Sequence, residues 1–86
     1  MALEREIVSF IESNFLKNKG TIHPGYPLFE NNIIDSFGVL ELVAFIEKKF
    51  QVSVNPTEIS IKNFGSVNSI AQLIRRKQKI GNTKQQ

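Results

Sequence analysis

The chain has 86 residues, of which 41% are hydrophobic and 22% charged, and it carries a formal net charge of +3. This length gives room for one small domain with the composition of a soluble globular protein. The absence of cysteine excludes disulfides, thiolate metal sites and a cysteine nucleophile. The apolar runs are too short to span a bilayer, and the first residues carry acids where a signal peptide carries bases. We therefore expect a cytoplasmic protein.

Charge is divided unevenly along the chain. Residues 1–74 contain six basic and eight acidic side chains, whereas residues 75–86 contain five basic side chains and no acid. Such a basic end could contact nucleic acid or anionic lipid. The simpler interpretation, which we favour, is that it stabilises a helix C-terminus and keeps a frayed end solvated. We expect a domain over residues 1–76 and a basic, flexible tail over residues 77–86.

The first predicted element is an amphipathic helix over residues 3–17, with a stop signal at Gly20. Its apolar side chains recur at helical spacing: Leu3, Ile7, Val8, Ile11 and Phe15. Residues 18–35 lack periodicity and predict a long loop that apolar side chains pin to the core: Leu28, Phe29, Ile33 and Ile34. The loop holds His23, the only histidine, so a metal site is not expected.

The strongest predicted helix covers residues 36–50. One apolar stripe has the spacing of a core face: Val39, Leu42, Val43, Ile46 and Phe50. A second, shorter stripe of Phe37, Leu40 and Ala44 points elsewhere and has charged neighbours: Glu41, Glu47 and Lys48. From the pattern alone, this stripe either forms a docking surface or is covered by the long loop.

An extended linker over residues 51–54 leads to Asn55-Pro56-Thr57-Glu58, which is typical of the capped start of a helix. This third helix must be short, because Gly65 interrupts it. Ser66 can cap a last helix, and Gly81-Asn82 would end it. The apolar side chains of this helix recur at helical spacing: Val67, Ile70, Ala71 and Ile74. We therefore predict an all-α fold, a small four-helix bundle of three main helices and one short helix, with a long first loop.

No catalytic constellation stands out. The sequence has no glycine-rich phosphate loop, no serine–histidine pair at a familiar spacing and no metal cluster, so we expect no autonomous enzyme. Ser36 is the candidate functional residue. Asp35 or Ser36 could simply cap the second helix, a contribution of ~1 kcal/mol. Alternatively, Ser36 could carry a phosphate group, which the dipole and free N–H groups of a helix N-terminus favour.

Residues 28–37, Leu-Phe-Glu-Asn-Asn-Ile-Ile-Asp-Ser-Phe, followed by the helix to Phe50, resemble the acyl carrier protein family. That family has Asp-Ser-Leu or a close variant at the start of its second helix, and the resemblance covers roughly residues 3–76. It implies that Ser36 is the attachment point of 4′-phosphopantetheine, transferred from coenzyme A by a phosphopantetheinyl transferase (holo-synthase). Cargo would be held as a thioester, Asp35 would lie beside the phosphodiester, and the chain would be a non-catalytic carrier.

The resemblance also implies a surface for partner enzymes on the second helix, made of Phe37, Leu40, Glu41, Ala44 and Glu47. The partners would be an adenylating acyl or aminoacyl ligase and a downstream acyltransferase or synthase. We expect a monomer that binds neither nucleic acid nor metal. Phe37 replaces the usual leucine, and Lys48 and Lys49 follow Glu47. The motif of residues 28–37 that ends in Phe37 is more similar to D-alanyl and related stand-alone aminoacyl carriers, and the two lysines depart from the strongly acidic helix of fatty-acid carriers. Both departures favour a specialised pathway over housekeeping fatty-acid synthesis.

Two alternatives remain. The chain could be a helical interaction module of the same fold that is never modified, with Ser36 only as a cap. It could also be a helical nucleic-acid binder that uses its basic tail, although no recognition helix is apparent. The sequence does not decide whether the protein has an internal cavity for cargo. Ala44 and Ala71 would leave space, but bulkier side chains could fill it: Phe45, Phe50, Ile59 and Phe64.

Overall fold

The computed structural model describes residues 2–17 and 20–84. Its elements, in chain order, are α1 (Ala2–Asn14), α2 (Ser36–Phe50), a 3₁₀ turn (Pro56–Glu58), α3 (Ile61–Phe64) and α4 (Val67–Lys84). No strand occurs within these two ranges. The predicted all-α, acyl-carrier-like bundle with a long first connection is therefore confirmed. Within the same ranges, no helix combines the length and apolar character needed to cross a membrane.

One hydrophobic core unites the four helices. Helix α1 contributes Ile7 and Ile11, α3 contributes Phe64, and the long loop contributes Leu28 and Ile34. The predicted core stripe of α2 is buried except for Phe50, which is half-buried, and α4 adds a continuous buried face: Val67, Ile70, Ala71, Leu73 and Ile74. The helical spacing of apolar residues therefore predicted which face of α2 and α4 turns inward.

The long first loop is tied to its surroundings by backbone hydrogen bonds. The N–H of Leu28 donates to the carbonyl of Gly65 over 2.8 Å, and the N–H of Asn68 donates to the carbonyl of Pro24 over 2.9 Å. The N–H of Ile22 donates to Glu12 Oε2 over 3.0 Å. These bonds connect the loop to α1 and to the α3–α4 junction. The loop consequently holds the start of α2 in a defined place.

Helix α1 is shorter than predicted. The sequence pattern extended it to Lys17, whereas the helix ends at Asn14. Lys17 has a φ of 52°, in the left-handed region, which a right-handed helix cannot contain. Just before it, the N–H of Leu16 donates to the carbonyl of Ile11 over 3.3 Å. This bond joins residues that are five apart in sequence, whereas the bonds of an α-helix join residues that are four apart.

The predicted short third helix is divided into two pieces. Asn55 does begin a capped turn, since its N–H donates to Glu58 Oε1 over 2.8 Å, but this turn is 3₁₀ and ends at Glu58. Ile59 is extended, with φ −83° and ψ 95°, and it separates the turn from α3. Helix α3 has its own cap, Ser60, whose Oγ accepts from the N–H of Asn63 over 3.3 Å.

Helix α4 begins as predicted and ends later. The Oγ of Ser66 accepts from the N–H of Ser69 over 3.2 Å, which confirms the cap. The predicted end at Gly81-Asn82 is wrong, because the helix continues to Lys84. Glycine stops a helix by turning left-handed, and no glycine in the described ranges has a positive φ. The flexibility expected for residues 77–86 stays a prediction, and its last two residues lie outside the described ranges.

Candidate functional site

Asp35 and Ser36 have separate positions at the start of α2. Asp35 is the N-cap, with extended φ −116° and ψ −168°, and its Oδ1 accepts from the N–H of Gly38 over 2.7 Å. Its carbonyl accepts the first helical bond, from the N–H of Val39, over 2.9 Å. Asp35 therefore caps the helix. The Ser36 side chain is not needed for that purpose, which removes the simplest structural explanation for the serine.

The Ser36 hydroxyl is accessible. The residue is exposed as the first residue of a 15-residue helix. Within residues 2–17 and 20–84, no hydrogen bond engages its Oγ. The N-terminus of a helix carries partial positive charge, so a phosphate ester formed on this oxygen would be stabilised there. The geometry at Ser36 fits a phosphodiester-linked group.

Gly38 is a site residue that the sequence reasoning missed. A Cβ added to this buried residue would lie 2.9 Å from Phe15 Cε1 and 3.3 Å from Asp35 Oδ1. The absence of a side chain thus lets Phe15, which directly follows α1, pack against the capped turn of α2. The available signal was a glycine in the first turn of an otherwise strongly apolar helix, where its low helix propensity calls for a packing reason.

The second apolar stripe of α2 faces solvent. Phe37 is 81% exposed and Leu40 is 56% exposed. Ala44 and Glu41 are exposed as well. The long loop therefore does not cover this side of α2, and a docking surface on this exposed stripe stays a prediction.

Glu47 differs from the other residues expected on the docking surface. It is half-buried, and its Oε2 accepts from the backbone N–H of Val54 over 2.8 Å. The carboxylate thereby fixes the linker that follows α2. Four of the five expected surface residues lie on an open face, whereas Glu47 has a structural contact that the helical pattern did not indicate.

An open groove of about 430 Å³ begins at Ser36. On its α2 side are Ser36, Val39 and Leu40. Across the groove lies the segment of residues 56–61, which we call the facing segment, and it contributes Pro56, Ile59 and Ile61. Ile61 is 71% exposed and was not predicted as a site residue. Both walls are mainly apolar, so the groove offers shelter to an apolar chain that starts at Ser36.

Most of the residues considered for an internal cargo cavity do not line the groove at Ser36. Ala71 and Phe64 are fully buried in the core, whereas Ala44 is exposed on α2. Phe45 stacks on Phe10 with ring centroids 4.0 Å apart, which places it between α1 and α2. Of the bulky residues in question, only Ile59 lines the groove at Ser36. The space beside the serine is a surface groove between α2 and the facing segment.

Charges near this face are of both signs. Glu41 and Lys48 are exposed on α2, and Lys62 is exposed beside Ile61. Lys49 forms an exposed ion pair with Glu6, with Nζ and Oε1 3.3 Å apart. The face therefore lacks the single acidic sign that would match a strongly basic partner.

Comparison with known proteins gives consistent relatives, although no protein-family model matches the chain. The chain is 36% identical over 75 residues to the probable acyl carrier protein PigG of a Serratia species, covering 86% of each chain. It is 27% identical over 70 residues to the D-alanyl carrier protein of Bacillus velezensis, covering 81% of this chain and 90% of that one. It is 26% identical over 78 residues to the D-alanyl carrier protein of Streptococcus uberis, covering 91% and 98%.

A solved structure shares the fold. One chain in a structure described as "Crystal structure of FAD-dependent dehydrogenase" superposes with a TM-score of 0.75 at 28% identity, covering 80% of this chain and 99% of that one. The curated relatives match over most of their own length, and the helix order agrees with the resemblance carried by residues 28–37. The chain therefore belongs to the family of acyl carrier proteins and related D-alanyl carriers.

Proposed function

We propose that this chain holds acyl or aminoacyl cargo as a thioester on a 4′-phosphopantetheine arm attached to Ser36, and that it delivers the cargo to partner enzymes. The observation that carries the proposal is the exposed Ser36 hydroxyl at the start of α2, freed from capping by Asp35. Attachment would join Ser36 Oγ to the pantetheine-bearing phosphorus of coenzyme A, releasing adenosine 3′,5′-bisphosphate and the hydroxyl proton. The arm supplies the thiol that a chain without cysteine lacks.

The residues around Ser36 have defined tasks in this proposal. Asp35 holds the first turn of α2 through the N–H of Gly38, and so keeps the Ser36 hydroxyl on the surface. The positive end of α2 would stabilise the negative phosphodiester. The apolar groove that begins at Ser36 would shelter an apolar part of the arm or its cargo from water. The catalytic groups for loading and transfer would come from the partner enzymes.

The proposed partners are a phosphopantetheinyl transferase, an adenylating acyl or aminoacyl ligase, and a downstream acyltransferase or synthase. The exposed Phe37, the mixed charges and the two D-alanyl carrier relatives support a specialised pathway. We add an FAD-dependent dehydrogenase as a further partner. Because the similarity covers 99% of the matched chain, a chain of carrier size is part of a crystal structure of such an enzyme.

The test is intact mass before and after incubation with coenzyme A and a broad-specificity phosphopantetheinyl transferase. We expect the wild type to gain one phosphopantetheine and Ser36→Ala to gain none. Ser53→Ala is the matched control, because Ser53 is also exposed but lies in the linker away from the helix start, and it should be modified normally.

The unmodified interaction module predicts a different result. A folded wild-type sample that gains no mass, while a known carrier is modified alongside it, would contradict the carrier function. In that case the exposed apolar residues of α2 would be the remaining functional feature, and Ser36→Ala would leave pathway activity unchanged.

A further inference from the structure

A row of phenylalanine side chains crosses from α1 to α2, and none of them lines the groove at Ser36. Phe10 of α1 stacks on Phe45 of α2, with ring centroids 4.0 Å apart. Phe15 meets the ring of Phe10 edge to face, and Phe50 meets that of Phe45 in the same way. All four side chains are half-buried. We name the stacked pair, Phe10 and Phe45, the aromatic seam.

Open grooves border the aromatic seam. One of about 280 Å³ is lined by both rings of the seam together with Glu6, Ser9, Ser13, Asn14 and Lys49. A second groove, of about 340 Å³, is lined by Phe45, Lys48 and Lys49. Part of the surface of each ring therefore faces open space rather than the core.

Contacts between α1 and α2 show how the two helices run beside each other. The contacting pairs, in the chain order of α1, are Glu6–Lys49, Phe10–Phe45 and Phe15–Gly38. Residue numbers rise along α1 while they fall along α2, so the helices are antiparallel. At one end of the aromatic seam, α1 therefore presents the carboxylate of Glu6, and at the same level α2 presents Lys48 and Lys49.

A face of this kind is complementary to itself. A two-fold axis parallel to the helices would set α1 of one copy over α2 of another copy, at the same level along the helices. The aromatic seam of each copy would then cover that of the other. Glu6 of each copy would face Lys48 and Lys49 of the other, and the two-fold symmetry makes every such contact twice.

The charges at the seam are available for such contacts. Lys49 pairs with Glu6 within the chain, but their side chains remain 53% and 43% exposed. Lys48 is exposed and forms no ion pair with any residue of the ranges 2–17 and 20–84. The chain thus leaves one lysine at the seam without an acidic partner of its own.

The other charges of α1 and α2 do not oppose this arrangement. Glu41 lies one turn before Phe45, and at its level α1 presents the neutral Ser13 and Asn14. Arg5 is about 140° round α1 from Phe10, so it points away from the seam. The remaining charged groups lie beyond the Phe15 end of the seam, where they have opposite signs, or are engaged elsewhere: Asp35 and Lys17, then Glu4 with Arg75, Glu12 with the N–H of Ile22, and Glu47 with the N–H of Val54.

We propose that the aromatic seam is an interface between two copies of this chain, in which Glu6 of each copy meets Lys48 of the other. The charge pattern favours a second copy, because a partner surface of a single charge sign would meet a like charge on one side of the seam. Association is weak, since the half-buried rings offer little area and lasting dimers bury about 800 Å² per copy. The monomer expected from the sequence is then the dilute state of the chain.

The dimer goes beyond the proposed carrier function and does not depend on it. Ser36 precedes Phe45 by nine residues, which is two and a half turns of α2. The serine therefore projects from the opposite side of α2, and the hydroxyls of both copies stay accessible in the dimer.

Sedimentation velocity of the full, unmodified chain tests the proposal, with the wild type shifting from monomer towards dimer between about 10 μM and about 1 mM. Lys48→Glu and Glu6→Lys each place like charges across the interface twice, and each should raise Kd by about tenfold. The double variant restores opposite charges and should return Kd to within about threefold of the wild type. The matched control Lys62→Glu makes the same change of net charge on α3 and should alter Kd by less than about twofold.

Each other outcome overturns the proposal. A wild type that stays monomeric at about 1 mM has no such interface. A dimer that is insensitive to Lys48→Glu lies on another face, and one that Lys62→Glu weakens equally is governed by net charge alone. A double variant as weak as the single variants would show that Glu6 and Lys48 do not face each other. Unchanged thermal unfolding of each variant excludes a folding defect, and failure of Ser36 to accept phosphopantetheine would leave these results unaffected.

Discussion

The two walls of the groove at Ser36 are held in different ways. The α2 wall has five buried residues, a side-chain cap at one end and a left-handed cap residue, Gln51, at the other. The facing segment, residues 56–61, has no buried residue. Ile59 packs against the core but is only partly buried. The polar ties of the segment come from Glu58, whose Oε1 accepts the N–H of Asn55 over 2.8 Å and pairs with Lys77 Nζ over 2.7 Å. The carbonyl of Glu58 also accepts from Asn63 Nδ2 over 2.9 Å.

The difference has an energetic meaning. Burying one large aliphatic side chain contributes ~1.5–3 kcal/mol, whereas a partly exposed ion pair contributes ~0–1 kcal/mol. The facing segment can therefore open at a smaller free-energy cost than α2, and segments of that kind are the ones that move in binding. One wall thus presents a fixed serine and the other an adjustable surface. The following predictions test this contrast at α2, at the α3–α4 junction and at the facing segment.

The largest expected effect is on the α2 wall. Leu42→Ala removes a fully buried side chain from the core and should lower the free energy of unfolding by ~2–5 kcal/mol. Leu40→Ala is the matched control on the same helix, and because Leu40 is mostly exposed it should change stability by less than ~0.5 kcal/mol. Chemical denaturation followed by circular dichroism measures both. Equal losses of unfolding free energy in the two variants would contradict the assignment of Leu42 to the buried face and Leu40 to the exposed face of α2.

The next largest effect is expected at Gly65, in the junction between α3 and α4. A Cβ added at Gly65 would collide with the carbonyl oxygen of Ile61, which is backbone and cannot turn away. Gly65→Ala should therefore destabilise the fold by ~1–3 kcal/mol and shift α3. Gly20→Ala is the control, because its nearest neighbour would be Leu16 Cδ1 at 3.9 Å. Thermal unfolding compares the two, and similar midpoints would contradict the close approach.

A smaller effect is expected at the cap of α2. Asp35→Ala removes the acceptor for the N–H of Gly38 and should cost ~1 kcal/mol, while Asp35→Asn keeps an acceptor and should cost less. Ser36→Ala should leave the free energy of unfolding nearly unchanged, since Asp35 performs the capping. A destabilisation by Ser36→Ala as large as that by Asp35→Ala would return the serine to a structural role.

The same contrast explains what the sequence could predict. The stripes of α2 and α4 were predictable because buried residues repeat at helical spacing. Residues 56–61 lack buried side chains and so lack periodicity, and a capping pattern at Asn55 suits a 3₁₀ turn as well as an α-helix. The exposure of Ile61 and the bond from the N–H of Val54 to Glu47 depend on how α2, the linker and α3 pack together, which helical periodicity does not encode.

The smallest effect concerns the Glu58–Lys77 pair and should be local. Lys77→Met removes the ammonium partner, so we expect faster hydrogen exchange of the backbone N–H groups of Asn55 and Glu58, with a global stability loss below ~1 kcal/mol. Hydrogen exchange measured by NMR should show the α2 amides unchanged. Arg76→Met is the comparison variant and should accelerate exchange less. Its contact with Asn63 Oδ1 is long, at 3.5 Å, and its charge is the smallest of the named causes that lower the pKa of Glu58.

Acid should break the same contact in the wild type. The Lys77 ammonium, together with the N–H of Asn55, holds the pKa of Glu58 below its usual value of about 4.5. A carboxylate whose folded pKa is lowered stabilises fully above its unfolded pKa, and loses that contribution as the pH falls through the folded pKa. Exchange at Asn55 and Glu58, corrected for its intrinsic pH dependence, should therefore accelerate below about pH 4.5 while α2 stays protected. The acceleration of exchange at low pH should be smaller in Lys77→Met. An undiminished acceleration would mean that a group other than the Glu58–Lys77 pair holds the facing segment.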